Sequence, residues 1–226
     1  KEIPEIKVYA TKFTKFILLD SGVPEKNIVE IMPHKKISFG DVSVFPMSVS
    51  HSIPDSVMYC INTKDGAICY TGDFVIDPLM MNGYDMDLGK IAYVGKQGVL
   101  CLLSESIFSE KLGHTSPKHH LYDHFKDIMK HHDNRILFSL LHNNLFTIEE
   151  IFLAAQNTHR KIVVMGKKLQ NIVNYAIKEG YLKINPELLG DLSNVNDNNS
   201  ILLISDDRGN PYANLSKILH GYDKYV

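Results

Sequence analysis

The feature that most constrains the fold is a change in the hydrophobic rhythm of the chain near residue 113. Before it, apolar stretches at 57–61 and 67–71 flank the turn residues 64–66 (Lys-Asp-Gly), which is the pattern of a β-hairpin. After it, strand patterns alternate with helix patterns, with strands at 135–141, 161–165 and 201–204 and helices at 117–132, 147–157, 168–179 and 211–219. Strands that alternate with helices predict a parallel sheet covered by helices. We therefore predict an α/β protein of two domains, 1–112 and 113–226.

The first half also contains shorter patterns, with a strand at 6–10, a helix at 11–20 and short strands at 28–33 and 36–40. The alternation of apolar and polar residues over 41–50 predicts a strand that leads to His51. Residues 74–98 contain a proline and several glycines and are predicted to be mainly loop. The uninterrupted apolar stretch 99–103 is predicted to be a buried strand.

Composition restricts the class of protein. Hydrophobic residues make up 44% and charged residues 22%, which is typical of a globular chain. No apolar run approaches the roughly 20 residues that a membrane-spanning helix needs, so we expect no membrane association. The net charge of −2 gives no support for nucleic-acid binding through bulk charge, so any phosphate recognition has to be local. Three cysteines without paired spacing indicate reduced thiols and a cytoplasmic location.

Two polar residues that follow strand ends carry the candidate chemistry. His51 follows the strand at 41–50, and Asp73 lies just past the second strand of the hairpin, behind Gly72. Because the second hairpin strand returns to the start of the first, Asp73 is expected near residue 56 and therefore near His51. A neutral imidazole and a carboxylate at one sheet edge suit a divalent metal such as zinc. A lone histidine or a Gly-Asp turn is more often structural, so the residues alone leave both interpretations open.

These segments resemble motifs of the ribonuclease J family. The segment from His51 to Val57, followed 22 positions after His51 by Asp73, is similar to the third and fourth metal motifs of the family. Segment 98–106, with Glu105 at the end of an apolar strand, resembles its first β-CASP motif. Further resemblances lie at 8–12, 161–166, 180–184 and 208–216. The order and spacing of these segments, over nearly the whole chain, carry the resemblance.

The resemblance implies a partial metallo-β-lactamase αββα unit, followed by a Rossmann-like β-CASP domain with a mainly parallel sheet. It implies metal-dependent hydrolysis of RNA phosphodiesters in RNA processing or decay, either inward from a 5′ end or internally. Of two zinc ions, His51 would bind one and Asp73 would bridge both, with Asp73 and Glu105 as catalytic residues. The resemblance also implies that RNA is bound at Ser104, Asn144 and Gly209.

Two family motifs are missing from the chain. The His-x-His-x-Asp-His motif, which supplies most metal ligands, is expected before Lys1, and a late Ser-Gly-His segment is expected after Val226. We therefore expect an incomplete fragment with no turnover of its own, in which the zinc site is empty or incomplete.

The second β-CASP motif departs from the family pattern. Family members carry Asn-x-His before a helix, whereas this chain has Phe146 at the histidine position, with His142 nearby. Phenylalanine cannot transfer a proton or hold a phosphate. Asp206 and Asp207 add negative charge where the family has small hydroxyl residues near RNA.

These departures support an alternative function: a catalytically silent ribonuclease J-like subunit that binds RNA or a partner nuclease, as a homo- or hetero-oligomer. A small-ester or lactam hydrolase on the same fold is disfavoured, because those relatives lack the second domain.

The second half is rich in histidine. His120 and His124 are predicted to share one face of a helix at i,i+4 spacing, which can bind zinc. No third ligand with suitable spacing accompanies them, so a solvated helix face is the better interpretation. The lysines after Gly166 are read as part of a strand-to-helix turn, since the full glycine pattern of a phosphate loop is absent.

Overall fold

The computed structural model describes residues 5–77, 79–81, 83–107, 109–114, 119–193, 199–206 and 212–221. The chain divides into two compact units, Lys1–Pro117 and Lys118–Val226, whereas the sequence pattern placed the domain boundary at residue 112. Both units combine helices with a sheet, which confirms the predicted α/β class. No helix within the described ranges has the length and apolar character that crossing a membrane requires.

The first unit contains seven described strands and two α-helices. In chain order they are β1 (Val8–Ala10), α1 (Lys12–Asp20), β2 (Ile28–Glu30), β3 (Ile37–Phe39), β4 (Val42–Ser48), β5 (Val57–Thr63), β6 (Gly66–Tyr70), α2 (Leu88–Gln97) and β7 (Cys101–Leu103). A 3₁₀ turn at Glu25–Asn27 precedes β2. Strands β1 and β2 form a parallel pair, and the other five form one sheet in the order β3-β4-β5-β6-β7.

Three strands of the five-stranded sheet end at the same edge. From β3 to β6 each strand is antiparallel to the next, while β6 and β7 are parallel. The carboxyl-terminal ends of β4, β6 and β7 therefore lie at the same end of the sheet. We call this end, where the strands terminate, the site edge. The register Tyr59↔Tyr70 to Thr63↔Gly66 confirms the predicted hairpin. This hairpin brings the residues after Tyr70 back to the start of β5.

One face of this sheet carries the core of the first unit. Its most buried members are Met47, Val49, Met58, Cys60 and Cys69. Helix α2 packs Ile91 and Val94 against this cluster, so the prediction of loop for 74–98 is wrong over the ten residues of α2. The glycines in this segment are typical of a loop. The helix forms nevertheless, because the apolar pair at i,i+3 packs against the sheet and this packing stabilises it.

The edge strand β7 corrects a second prediction. Stretch 99–103 was expected to be buried, but Leu100, Leu102 and Leu103 are 64%, 62% and 51% exposed. Within the described part of the chain, β7 pairs with β6 alone and forms the end of the sheet. An apolar sequence shows that burial would be favourable, but whether another element covers the strand depends on the tertiary structure.

The second unit is built on a parallel sheet with helices between its strands. Its elements are α3 (Tyr122–His131), β8 (Ile136–Leu141), α4 (Leu145–Ala155), β9 (Lys161–Val164), α5 (Lys167–Lys178), a 3₁₀ turn (Pro186–Leu188), β10 (Ser200–Asp206) and α6 (Ala213–Leu219). The strand order is β8-β10-β9, and both pairings are parallel. The predicted parallel sheet is confirmed.

The core of the second unit lies between α4, α5 and the central strand. Ile201, Leu202 and Leu203 of β10 are fully buried, as expected for a central strand covered on both faces. In α4, Ile148 and Phe152 are also fully buried, and the helix is apolar around most of its circumference. A helix of this kind is stable only inside a core.

Glu150 is a buried carboxylate in this core and fixes the start of α3. It is 2% exposed and accepts hydrogen bonds from the backbone N–H of Leu121 at 3.0 Å and of Tyr122 at 3.3 Å. Burial raises the pKa of the Glu150 carboxyl, and these hydrogen bonds oppose that shift. Glu150 therefore acts from α4 as the cap of the neighbouring helix.

Candidate functional site

His51 and Asp73 lie together at the site edge. His51 follows the end of β4, and Asp73 follows the end of β6. The Nε2 atom of His51 is 3.8 Å from Oδ2 of Asp73, and the side chains are 30% and 49% exposed. The predicted meeting of these two side chains is confirmed, while metal binding by them stays a prediction.

The backbone around the pair holds the two segments together. The N–H of Val75, two residues after Asp73, donates to the carbonyl of Ser50, the residue before His51, at 2.9 Å. Asp55 has a φ of +58°, in the left-handed region that aspartate tolerates better than most residues. This conformation tightens the connection between β4 and β5.

Local contacts orient the two side chains. Ser52 Oγ lies 3.2 Å from Nδ1 of His51, so that ring nitrogen has a hydroxyl partner while Nε2 faces Asp73. Gly72, directly before Asp73, has a φ of +61°, which a residue with a Cβ rarely adopts. A glycine at this position allows the chain to turn sharply after β6, so that the Asp73 side chain lies at the site edge near His51.

The pair lines a cleft of about 340 Å³ within the first unit. Tyr9, Tyr59 and Tyr70 are also among its lining residues. Burial raises the pKa of the Tyr59 phenol, so this group stays protonated at neutral pH. Aromatic side chains beside an imidazole and a carboxylate suit a ligand that has both flat and polar groups.

Glu105 lies at the same edge, after β7. Its backbone N–H donates to Oγ1 of Thr71 at 3.3 Å, and the Thr71 N–H donates to the carbonyl of Leu103 at 3.0 Å. The chain after β7 is thus bonded to the segment that carries Asp73. Ser104 is exposed, and its hydroxyl donates to the carbonyl of Glu105 at 3.2 Å. The roles predicted for Glu105 and Ser104 stay predictions.

The other predicted site residues belong to the second half of the chain, and each has a different position relative to the helices. Asn144 is the N-cap of α4, where its Oδ1 accepts from the N–H of Thr147 at 3.2 Å. Phe146 was expected just before this helix, but it lies in the first turn and is only 4% exposed. Gly209 is outside the described residues, as is Asp207.

A polar cluster that sequence reasoning missed lies near the end of β4. His34 Nε2 is 3.0 Å from Ser48 Oγ and 3.9 Å from Oδ2 of Asp87. Burial lowers the pKa of His34, the Lys90 ammonium lowers it further, and Asp87 opposes the shift. His34 is therefore neutral at neutral pH and anchors the strand that delivers His51. No local sequence pattern predicts this cluster, because its members come from three separate segments of the chain.

The structure also corrects the prediction for the histidine-rich segment. Helix α3 begins at Tyr122, so His120 precedes the helix and does not share a helix face with His124. Instead, His120 Nδ1 lies 3.6 Å from Oε1 of the buried Glu150. His119 and His120 also bring a ligand nitrogen each to within 4.8 Å of one another.

Imidazole nitrogen and carboxylate oxygen at the site edge fit part of a zinc site. Two ligands of one tetrahedral zinc ion are about 3.3–3.6 Å apart, given Zn–N and Zn–O distances near 2.0–2.2 Å. The 3.8 Å between His51 and Asp73 is slightly wider. Among the described residues, no third metal-ligating side chain joins this pair. Since zinc takes four ligands, His51 and Asp73 would supply two of the four ligands of such a site.

Comparison with known proteins gives consistent matches. Residues 133–226 match the family model described as ribonuclease J, beta-CASP domain. Ribonuclease J 2 of Staphylococcus saprophyticus subsp. saprophyticus is 30% identical over 220 residues, which cover 93% of this chain and 39% of that protein. Ribonuclease J 2 of Staphylococcus aureus is 30% identical over 224 residues, with the same coverage of both chains. The chain thus spans about two fifths of the length of these relatives.

A solved structure supports the fold. The crystal structure of a protein of unknown function from Enterococcus faecalis V583 has a TM-score of 0.63 and 16% identity, and covers 97% of this chain and 61% of its own. At this identity the likeness concerns the fold alone. The sequence matches go further, because they extend over nearly the whole chain and name the same family as the model for its second half. Residues 133–226 therefore form a ribonuclease J beta-CASP domain, and nearly the whole chain is similar to part of ribonuclease J.

Proposed function

We propose that the chain is part of a metal-dependent ribonuclease that hydrolyses RNA phosphodiesters in RNA processing or decay, in the cytoplasm. The observation that carries the proposal is the 3.8 Å approach of His51 Nε2 to Asp73 Oδ2 at one sheet edge. A structural ion pair would not need to lie in an accessible cleft beside the ends of three strands. The first unit then corresponds to part of a metallo-β-lactamase domain and the second to the β-CASP domain.

In this proposal His51 and Asp73 hold metal. His51 Nε2 would bind one zinc ion, and the Asp73 carboxylate would bridge two, with the remaining ligands coming from residues other than this pair. The ions, when bound, supply an acidified water and stabilise negative charge that develops on the phosphate. The Ser52 hydroxyl beside Nδ1 keeps the His51 ring in its orientation.

Glu105 is proposed to act beside the metal ligands. Its backbone is bonded to Thr71, two residues before Asp73, which fixes the start of its side chain at the site edge. A carboxylate in this position accepts a proton from the attacking water or orients a ligand.

RNA is the proposed substrate, with Ser104, Asn144 and Gly209 as contacts. With a net charge of −2, the chain has no excess of positive charge to attract a polyanion. Specific contacts would therefore contribute more to RNA binding than the overall electrostatic field of the chain. The N-cap role of Asn144 uses its side-chain oxygen, which leaves its amide N–H groups as donors for a phosphate.

One observation favours a second candidate function, a catalytically silent subunit that binds RNA or a partner ribonuclease. The resemblance puts Phe146 at the position of the family's motif histidine, and Phe146 is buried in α4 at 4% exposure. A buried phenyl ring in a helix has no proton to give. A subunit of this kind would keep the fold and act through association.

The test uses the complete gene product that carries this chain, supplied with Zn²⁺ or Mn²⁺ and 5′-monophosphorylated RNA. If it is an enzyme, Asp73→Asn should lower kcat/KM by about 100-fold or more, as expected when a metal ligand is lost. The matched control is Asp65→Asn, which changes an exposed aspartate at the tip of the hairpin. Equal activity of both variants would refute the proposed site. Absence of cleavage, together with co-elution with an active paralogue, would favour the silent subunit.

A further inference from the structure

A large cleft lies within the second unit, at the end of the parallel sheet where its strands begin. Its volume is about 640 Å³, which is within the range of about 300–1,000 Å³ that is usual for small-molecule sites. The lining residues come from α3, the segment before β8, the end of α4 and the segment before β9, with Asn199 next to β10. The cleft therefore lies at the opposite end of β8 from Asn144, which follows the carboxyl end of that strand.

The charged groups that line this cleft are mainly positive. Lys126 and Lys130 lie one turn apart on α3, and both are exposed. Neither ammonium makes an ion pair or a hydrogen bond within the described part of the chain. Together with Arg160, they place three permanent positive charges against one carboxylate, that of Asp133, among the described lining residues. The lining thus has a formal charge of +2 with histidine neutral, in a chain whose net charge is −2.

Arg160 is a fixed part of the wall. It is 6% exposed, and its guanidinium donates to the backbone carbonyl of His132 and, at 2.9 Å, to that of Asn134. Its backbone N–H donates to Oγ1 of Thr158 at 3.2 Å. These bonds hold the segments before β8 and β9 together. The cleft is therefore formed before a ligand arrives, which lowers the entropic cost of binding.

The cleft also offers apolar, planar and neutral polar groups. The buried residues Met129 and Ala154 are part of its lining. His132 and His159 are exposed imidazoles, and nucleobases stack on rings of this kind. The amide of Asn157 can both donate and accept a hydrogen bond, as the edge of a base requires. An inorganic anion is too small to contact all of these groups, so they suit a larger ligand that carries phosphate.

We propose that this cleft binds a nucleotide, with its phosphate at Lys126 and Lys130 and its base against the imidazoles and the apolar lining. The nucleotide is either free or part of an RNA strand, since both present the same phosphate and base groups. Ammonium groups hold phosphate through charge-assisted hydrogen bonds. The proposal does not rest on the ribonuclease activity proposed above, because the cleft shares no lining residue with the one that contains His51 and Asp73.

Calorimetric titration of the complete gene product that carries this chain tests the proposal. One probe is 5′-AMP, and the other is a short oligoribonucleotide with phosphorothioate linkages, which slow its cleavage. The double variant Lys126→Gln/Lys130→Gln should lower the affinity for a bound probe by about 10-fold or more, because it removes charged hydrogen bonds to phosphate. Both lysines are exposed on α3, so these substitutions should leave the fold intact, which circular dichroism checks.

The matched control is Lys178→Gln/Lys217→Gln, which removes the same charge from α5 and α6, outside the lining of the cleft. It should keep the native affinity to within about 2-fold, since salt screens distant charges. Loss of 5′-AMP binding in the cleft variant identifies a free nucleotide as a ligand, and a loss confined to the oligoribonucleotide identifies a strand. The proposal is overturned if neither probe binds more tightly than about 1 mM. It is equally overturned if the cleft variant keeps the native affinity for both probes, or if both double variants lose affinity to the same extent.

Discussion

Asp87 connects the helix that sequence reasoning missed to the strand that carries His51. Its Oδ1 accepts a hydrogen bond from the N–H of Lys90 at 2.9 Å, which caps α2, and its Oδ2 lies 2.8 Å from Lys90 Nζ. Its own N–H donates to the carbonyl of Ser48, the last residue of β4, at 3.2 Å. Replacing the side chain should therefore weaken the packing of α2 on the sheet.

The magnitude follows from two contributions to the free energy of unfolding. Loss of an N-cap aspartate costs about 0.5–2 kcal/mol. The ion pair joins side chains that are 30% and 43% exposed, so it contributes no more than about 0.5 kcal/mol. Asp87→Ala should thus lower the stability by about 0.5–2.5 kcal/mol. Asp87→Asn keeps a good cap and should cost about 0.5 kcal/mol.

The same residue predicts a pH dependence with a definite sign. The hydrogen bonds from Lys90 hold the pKa of the Asp87 carboxyl below its ordinary 3.8. Its charge therefore contributes stability that is complete above pH 3.8 and is lost as the pH falls through the lowered pKa. The stability difference between the native chain and Asp87→Asn should shrink towards zero in acid, because a protonated aspartate resembles asparagine.

Urea denaturation of the native chain and both variants, followed by circular dichroism at neutral and acid pH, measures these differences. A neutral-pH cost below about 0.3 kcal/mol for Asp87→Ala would refute the capping argument. A cost of Asp87→Asn that is the same in acid as at neutral pH would refute the electrostatic one.

Two further pairs of variants test the fold, each checked by urea denaturation. Phe152→Ala, at a fully buried position of α4, should lower the free energy of unfolding by about 3–5 kcal/mol. Leu102→Ser, on the exposed strand β7, should change it by less than about 0.5 kcal/mol. Similar effects of the two substitutions would contradict the difference in burial between these side chains. Gly66→Ala should cost about 1–3 kcal/mol, because Gly66 has a φ of +139° and an added Cβ would lie 2.9 Å from that of Leu100. Gly40→Ala, with a φ of +60° and open space around it, should cost less; the reverse order would show that the contact with Leu100 is unimportant.

Much of the fold could be predicted from local patterns. The hairpin of β5 and β6 follows from its turn residues and apolar flanks, and the strands and helices after residue 119 follow from their alternation. Because the connection in a hairpin is short, the turn also settles which residues meet, and this is why the approach of Asp73 to His51 was predictable. The local pattern gave wrong predictions in two places. It predicted a loop at α2, because the segment contains glycines, and it predicted burial for β7, which lies at the lateral border of the sheet.

The sequence by itself determined the α/β class, the hairpin and the meeting of His51 and Asp73, since these follow from periodic hydrophobic patterns and from one short turn whose residues are recognisable. Only the tertiary structure decided that Asp87 and Ser48 surround His34, that Glu150 faces His120, and that Phe146 is buried. Residues up to dozens of positions apart make these contacts. Their spacing carries no periodic signal, because which groups meet depends on how whole helices and strands pack, and packing depends on shape as well as hydrophobicity.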